Sequence, residues 1–65
     1  MNRSSIIIGV KGKSLHLNEI KLLKEKRPLG VILFKRNIKN PNQVLKLTNS
    51  IRKHLGKDVM ILIDH

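Results

Sequence analysis

The stretch PLGVILF, residues 28–34, decides the fold class of this 65-residue chain. From Leu29 onward it is short, apolar and free of charge, which is typical of a strand buried on both faces. Two similar runs, Ile6–Val10 and Val59–Ile63, lie on either side of it. Because none of the three alternates apolar with polar residues, they predict a parallel α/β sheet with strands at about 6–10, 30–34 and 59–63.

A helix is predicted between the first two strands, from about Leu17 to Lys26. Ile20 and Leu23 share one face of it, and an acid at position 19 suits the first turn, where the helix dipole favours negative charge. Pro28 prevents the helix from continuing into the central strand.

The second helix has clear boundaries. Asn40 is a good N-cap, Pro41 fits the first helical position, and Gln43 stands where a capping box needs it. Gly56 is expected to end the helix in a left-handed conformation. The core-facing stripe recurs at helical spacing: Val44, Leu47, Ile51 and Leu55.

The resulting order, βαβαβ, is consistent with a segment of a TIM-type (β/α)8 barrel or with a doubly wound sheet. If the strands follow one another directly, right-handed crossovers put both helices on the same side of the sheet. The other face would then stay apolar and exposed. We therefore interpret residues 1–65 as one piece of a larger architecture, with no second domain.

The composition is strongly basic, with a net charge of +10. This charge makes a small nucleic-acid-binding module one alternative function. The composition favours solvated helix faces instead, because the basic residues are dispersed and Phe34 is the only aromatic, so no stacking platform is available. There is no cysteine, and His16, His54 and His65 show no ligand spacing, so neither a metal nor a cofactor is expected.

No targeting or membrane segment is visible in the sequence. The start, residues 1–5, is followed by only three isoleucines before Gly9, which is too short for the apolar region of a signal peptide. No stretch approaches the length of a transmembrane helix. The sequence therefore predicts a cytoplasmic protein.

The segment GVKGKS, residues 9–14, is similar to a phosphate-binding loop but departs from its spacing. The pattern G-x-x-x-x-G-K-[ST] needs its first glycine where this chain has Ile7. A loop shortened to the Gly9–Gly12 interval cannot wrap phosphates with the same set of backbone amides. We therefore do not expect nucleotide binding by this motif.

Of the four acids, only Asp64 follows a predicted strand directly and so lies at the carboxyl edge of the sheet, where α/β enzymes bind their substrates. Asp58 precedes the third strand and lies at the opposite edge. Two carboxyl groups about 5–10 Å apart are usual in glycoside hydrolysis, and this edge offers one. By position alone, Asp64 is a solvated acid at a strand end. No serine has the context of a catalytic triad.

The segment PLGVILFKRNI, residues 28–38, closely resembles the PLGxILFxRNI segment of bacterial β-N-acetylglucosaminidases of glycoside hydrolase family 3. The pattern extends in both directions, over about residues 6–65. Upstream, Gly12, Leu15 and Glu19 match GxxLxxxE. Downstream, the matches are Pro41 and Gln43 at the helix start, Ile51 and Gly56 at its end, and Ile61 to His65 in the closing strand.

This resemblance implies an N-terminal fragment of a TIM-type barrel from a retaining enzyme that removes terminal N-acetylglucosamine during peptidoglycan recycling. It gives Asp64 a binding role, on hydroxyls of the sugar. Arg36 and Asn37 would support the active face, by bracing loops rather than by touching sugar. The family's Glu-Gly-Gly-Arg-Val continuation, acid/base histidine and nucleophilic aspartate have no counterparts here, so no catalytic residue is assigned.

The sequence therefore predicts a chain that is inactive alone. A half-enzyme completed by a separately encoded remainder is the alternative, with that remainder and an N-acetylglucosamine-containing glycan as partners.

Overall fold

The computed structural model of the chain describes residues 4–64, with side chains from residue 5 onward. The predicted order of elements is confirmed. The strands are β1 (Ser4–Gly9), β2 (Pro28–Leu33) and β3 (Met60–Ile63), and the helices are α1 (Leu17–Lys26) and α2 (Pro41–Leu55). A 3-10 turn, Lys35–Asn37, follows β2. Residues 1–3, which belong to the start of the chain that precedes the three isoleucines, and His65, the last residue of the matched pattern, lie outside the described residues.

The three strands form one parallel sheet in the order β1-β2-β3. The register sets Ile8 opposite Val31 and Val31 opposite Ile61. Because successive side chains of a strand point to opposite faces, this row and the rows two residues away share one face of the sheet. The predicted parallel α/β sheet is therefore confirmed.

The strand boundaries differ from the predicted ones by one to two residues. β1 ends at Gly9 rather than Val10, because the Val10 carbonyl accepts hydrogen bonds from side chains that follow β2. β2 begins at Pro28, which has no N–H to donate and is tolerated as the first residue of a strand. β3 begins at Met60, although Val59 before it is already buried.

Both helices cover the same face of the sheet, as the straight strand order predicted. Leu23 of α1 and Leu47 and Ile51 of α2 join Val31 and other strand residues in one buried cluster. The remaining buried members of that cluster are Val10, Leu33 and Val59. Within the described part of the chain, neither helix has the length and apolar character needed to cross a membrane.

The helix ends follow the predicted boundaries but not all the predicted conformations. The Asn40 side chain accepts the Gln43 N–H at 2.8 Å, which confirms the N-cap. Gly56 has φ 100° and ψ 163°, so the predicted left-handed helical stop is wrong: φ is positive but ψ is extended. The left-handed residue is Arg27, which ends α1 with φ 50° and ψ 59° just before Pro28.

The face of the sheet away from the helices is apolar and open, as predicted. Ile7 and Met60 lie on it with 48% and 47% of their surfaces exposed, and Ile32 and Leu62 are half-buried there. Gly30 separates the first two, opposite Ile7 on one side and Met60 on the other. A straight order with helices on one face is shared by a barrel segment and by half of a doubly wound sheet.

Candidate functional site

The carboxyl ends of the three strands meet at one edge of the sheet, because the strands are parallel. Val10, Phe34 and Asp64 directly follow β1, β2 and β3 there. The Asp64 N–H donates to the Leu33 carbonyl at 2.9 Å, which extends the ladder between β2 and β3 by one bond. The backbone of Asp64 is thereby fixed at this edge, where an α/β protein builds its binding site.

The Asp64 side chain is exposed. The alternation along β3 places it on the open face, with Met60 and Leu62. Among the described residues, no hydrogen bond or ion pair joins its carboxylate to Arg36 or Asn37. The three predicted site residues therefore share one edge of the sheet without forming a bonded cluster, and the role of Asp64 in sugar binding stays a prediction.

Asn37 is the buried polar centre of this edge, with none of its surface exposed. Its Oδ1 accepts the Phe34 N–H at 2.7 Å, and its Nδ2 donates to the carbonyls of Val10 at 2.9 Å and Gly12 at 2.6 Å. The amide thus joins the segment after β2 to the loop after β1. A buried amide with this many bonds holds the two strand tips in a fixed relation.

Arg36 lies over the same junction but is exposed. Its Nε and Nη2 donate to the Val10 carbonyl at 3.3 and 3.2 Å, and its guanidinium carbon lies 4.8 Å from the centre of the Phe34 ring. The ring in turn lies against Gly9, where a Cβ atom would be 3.2 Å from Phe34 Cε2. Arg36 and Asn37 therefore contact neighbouring loops, and their support of a sugar site stays a prediction.

Gln43 has a wider role than the sequence predicted. Its Oε1 accepts the N–H of Lys39, one residue before the expected capping-box partner, at 2.7 Å. Its Nε2 donates to the carbonyls of Lys13 at 2.7 Å and Asn37 at 2.8 Å. The side chain therefore ties the start of α2 to both preceding loops. The capping pattern marked the residue, but nothing in the sequence pointed to the long-range bonds.

The loop that resembles a phosphate-binding loop is occupied by the chain's own carboxylate. Glu19 Oε1 accepts the His16 N–H at 3.2 Å, and Oε2 accepts the Lys11 N–H at 3.0 Å. Two backbone amides of the β1–α1 connection are thereby used to brace it against α1. Within residues 9–14, Glu19 thus engages the Lys11 amide, and the absence of nucleotide binding by this motif stays a prediction. Residues 4–64 bring together no group of three or more His, Asp or Glu side chains suited to a metal ion.

Comparison with known proteins gives a consistent result. The chain is 39% identical over 61 residues to a β-hexosaminidase of Haemophilus influenzae, which is 94% of this chain and 17% of that protein. It is 34% identical over 61 residues to a β-hexosaminidase of Actinobacillus succinogenes and 33% identical over 60 residues to one of Psychromonas ingrahamii. No family model matches the chain.

The matched stretch spans only 17 to 18% of the length of these relatives. Nearly the whole of this chain is thus similar to a part of β-hexosaminidases.

Proposed function

We propose that residues 1–65 form the βαβαβ portion of the (β/α)8 barrel of a glycoside hydrolase family 3 β-N-acetylhexosaminidase, and that Asp64 contacts hydroxyls of the bound N-acetylglucosamine. The observation that carries the proposal is the position of Asp64. It follows β3 at the carboxyl edge of a parallel sheet, in a chain 39% identical to a β-hexosaminidase. In barrel enzymes this edge holds the substrate.

The apolar residues of the open face are compatible with the proposed barrel. In a barrel, the face away from the helices lines the interior, which is filled by side chains that alternate strands contribute in layers. The row Ile7, Gly30 and Met60 and the row Gly9, Ile32 and Leu62 give this face one glycine and two larger apolar residues each, with no polar side chain that would oppose burial in an interior.

The proposed portion binds but does not catalyse. A retaining glycosidase needs two carboxyl groups about 5–5.5 Å apart. Among the described residues, Asp64 is the one acid at the carboxyl edge, and the Glu19 carboxylate is held by the amides of the β1–α1 loop. The substrate would be a glycan that carries terminal N-acetylglucosamine, released in the cytoplasm during peptidoglycan recycling.

An exchange of segments tests the proposal. Residues 6–64 replace the matching stretch of the Haemophilus influenzae relative, and hydrolysis of a chromogenic N-acetylglucosaminide is measured. We expect the hybrid to be active and Asp64→Asn to lower its kcat/KM about 10- to 100-fold, as for a lost hydrogen bond to a charged group. Glu25→Gln is the matched carboxylate-to-amide control, because Glu25 is an exposed residue of α1, and it should change kcat/KM little.

The isolated chain should show no hydrolysis in the same assay. Turnover by the isolated chain that Asp64→Ala abolishes would overturn the non-catalytic role. A folded hybrid in which Asp64→Asn and Glu25→Gln behave alike would overturn the sugar contact.

A second candidate, completion by a separately supplied remainder, is favoured by an apolar groove beside β3. Ile38, Val44, Leu45 and Ile63 line this groove. It lies where the next β/α unit of a barrel would pack. Co-expression of this chain with the remaining β/α units of the relative should restore hydrolysis. Soluble expression of both pieces without activity would count against this candidate.

A further inference from the structure

A cavity on the side of the molecule where α2 begins plays no part in the proposed sugar site. It has a volume of about 500 Å3, within the range of small-molecule pockets. Three separate segments form it: the loop after β1, the turn before α2 and the first half of α2 itself. Each segment contributes one lysine, namely Lys13, Lys39 and Lys46.

The positive charge of this cavity has no acidic counterpart among its lining residues. The Lys13 ammonium donates to the Arg36 carbonyl at 3.3 Å, which holds it beside the cavity and leaves its other protons available. The Glu19 carboxylate is bonded to backbone amides of the β1–α1 loop. Three lysines that line one concave surface therefore create a positive potential that an anion can neutralise.

The remaining lining supplies neutral donors and an apolar floor. Ser14, Ser50 and Asn42 add two hydroxyls and an amide, which can each donate a hydrogen bond to an oxyanion. Leu47, which is buried, closes the bottom of the cavity, and a low-dielectric wall strengthens the field of the lysines. Three cations with several neutral donors match a dianion with three acceptor oxygens better than a single carboxylate.

We propose that this cavity binds the phosphate monoester group of a small phosphorylated ligand. This binding mode differs from that of a phosphate-binding loop, in which backbone amides hold the phosphate. Lys13 and Ser14 come from that motif, but they act through their side chains together with Lys39 and Lys46, while the Lys11 amide of the same loop is bonded to Glu19. The proposal does not rest on hexosaminidase activity.

Titration of the isotope-labelled chain with inorganic phosphate, followed by amide NMR at low salt, tests the proposal. We expect saturable shifts confined to residues 13–14 and 39–50. Lys39→Gln and Lys46→Gln should each raise the Kd roughly three- to tenfold, as for one partly exposed charge contact. Lys53→Gln is the matched control, because Lys53 is an exposed lysine of α2 that does not line the cavity.

Further arms identify the source of the phosphate. If N-acetylglucosamine 6-phosphate binds more tightly than inorganic phosphate, the ligand is a sugar phosphate. If adenosine monophosphate binds more tightly than inorganic phosphate, the ligand is a nucleotide. If all three bind equally, the cavity recognises the phosphate group alone. Each of these outcomes requires Lys46→Gln to weaken binding more than Lys53→Gln does.

Two results would overturn the proposal. One is the absence of saturable shifts up to tens of millimolar phosphate. The other is equal weakening by all three lysine variants together with tighter binding of duplex DNA, which would indicate a diffuse positive surface. The phosphate site and the proposed sugar site can be tested separately. Asp64→Asn should leave phosphate binding unchanged, and Lys46→Gln should leave hydrolysis by the hybrid unchanged.

Discussion

The two faces of the sheet are made of the same kinds of residue but have different surroundings. On the helix side, Val31 and Leu33 are fully buried against α1 and α2. On the other side, Ile7 and Met60 keep almost half of their surface exposed. Strands that are apolar throughout favour burial of both faces, but within residues 4–64 the helices cover one of them. An exposed apolar face of this kind is typical of an interaction surface, as the proposed barrel portion requires.

The largest expected effect comes from removing core volume on the covered face. Ile51→Ala should lower the free energy of unfolding by about 2–5 kcal/mol, because Ile51 of α2 is fully buried in the cluster that the helices form with the sheet. Ile7→Ala, the same change on the open face, should cost about 1 kcal/mol or less, since half the side chain already contacts water. Urea unfolding followed by circular dichroism measures both. Equal losses would contradict the asymmetry of the two faces.

A smaller loss of stability is expected from a substitution at the carboxyl edge of the sheet, where both faces end. Asn37→Asp keeps the shape of the side chain but replaces the donor that bonds the Val10 and Gly12 carbonyls with an acceptor. We expect a cost of about 2–4 kcal/mol from the two lost bonds and the buried oxygen atoms that then face each other. Thermal unfolding and amide exchange of the strand tips measure it.

The control for that change is Asn49→Asp on the exposed surface of α2, which should alter stability by about 0.5 kcal/mol or less. If both variants unfold at the same temperature, the Asn37 network does not hold the strand tips together.

The smallest change in stability is expected from a substitution on the open face itself. At Gly30 a Cβ atom would lie 3.1 Å from both Cβ and the carbonyl oxygen of Met60, so Gly30→Ala should cost about 1–3 kcal/mol. Gly12→Ala meets no atom within 4 Å and should be neutral, or stabilising by up to about 1 kcal/mol. Melting temperatures of the two variants check this. A neutral Gly30→Ala would mean that the sheet can spread at this position.

Local signals in the sequence were sufficient for the helices. Both α1 bounds and the start of α2 agree with the prediction, because caps, prolines and helical periodicity act over a few residues. Strand ends were less predictable, since they depend on which partner each carbonyl finds. The Val10 carbonyl, for example, accepts hydrogen bonds from Arg36 and Asn37, which lie 26 and 27 residues away.

The candidate site was predicted in part. The sequence and its family resemblance identified Asp64, Arg36 and Asn37, and the structure brings all three to one edge. The sequence did not indicate that Gln43 donates to the Lys13 carbonyl or that Glu19 accepts the Lys11 N–H. A capping pattern predicts bonds within the first turn of a helix, and it does not indicate which distant amide or carbonyl the same side chain also reaches.

The sequence alone determined the βαβαβ order, the parallel sheet and the similarity to a part of β-hexosaminidases, because these depend on apolar runs, caps and matched residues along the chain. Only the tertiary structure decided where Asn37 is buried, why the Lys11 amide is bonded to Glu19, and how three lysines line one cavity. Those features depend on which segments the fold brings into contact, and no local pattern specifies that.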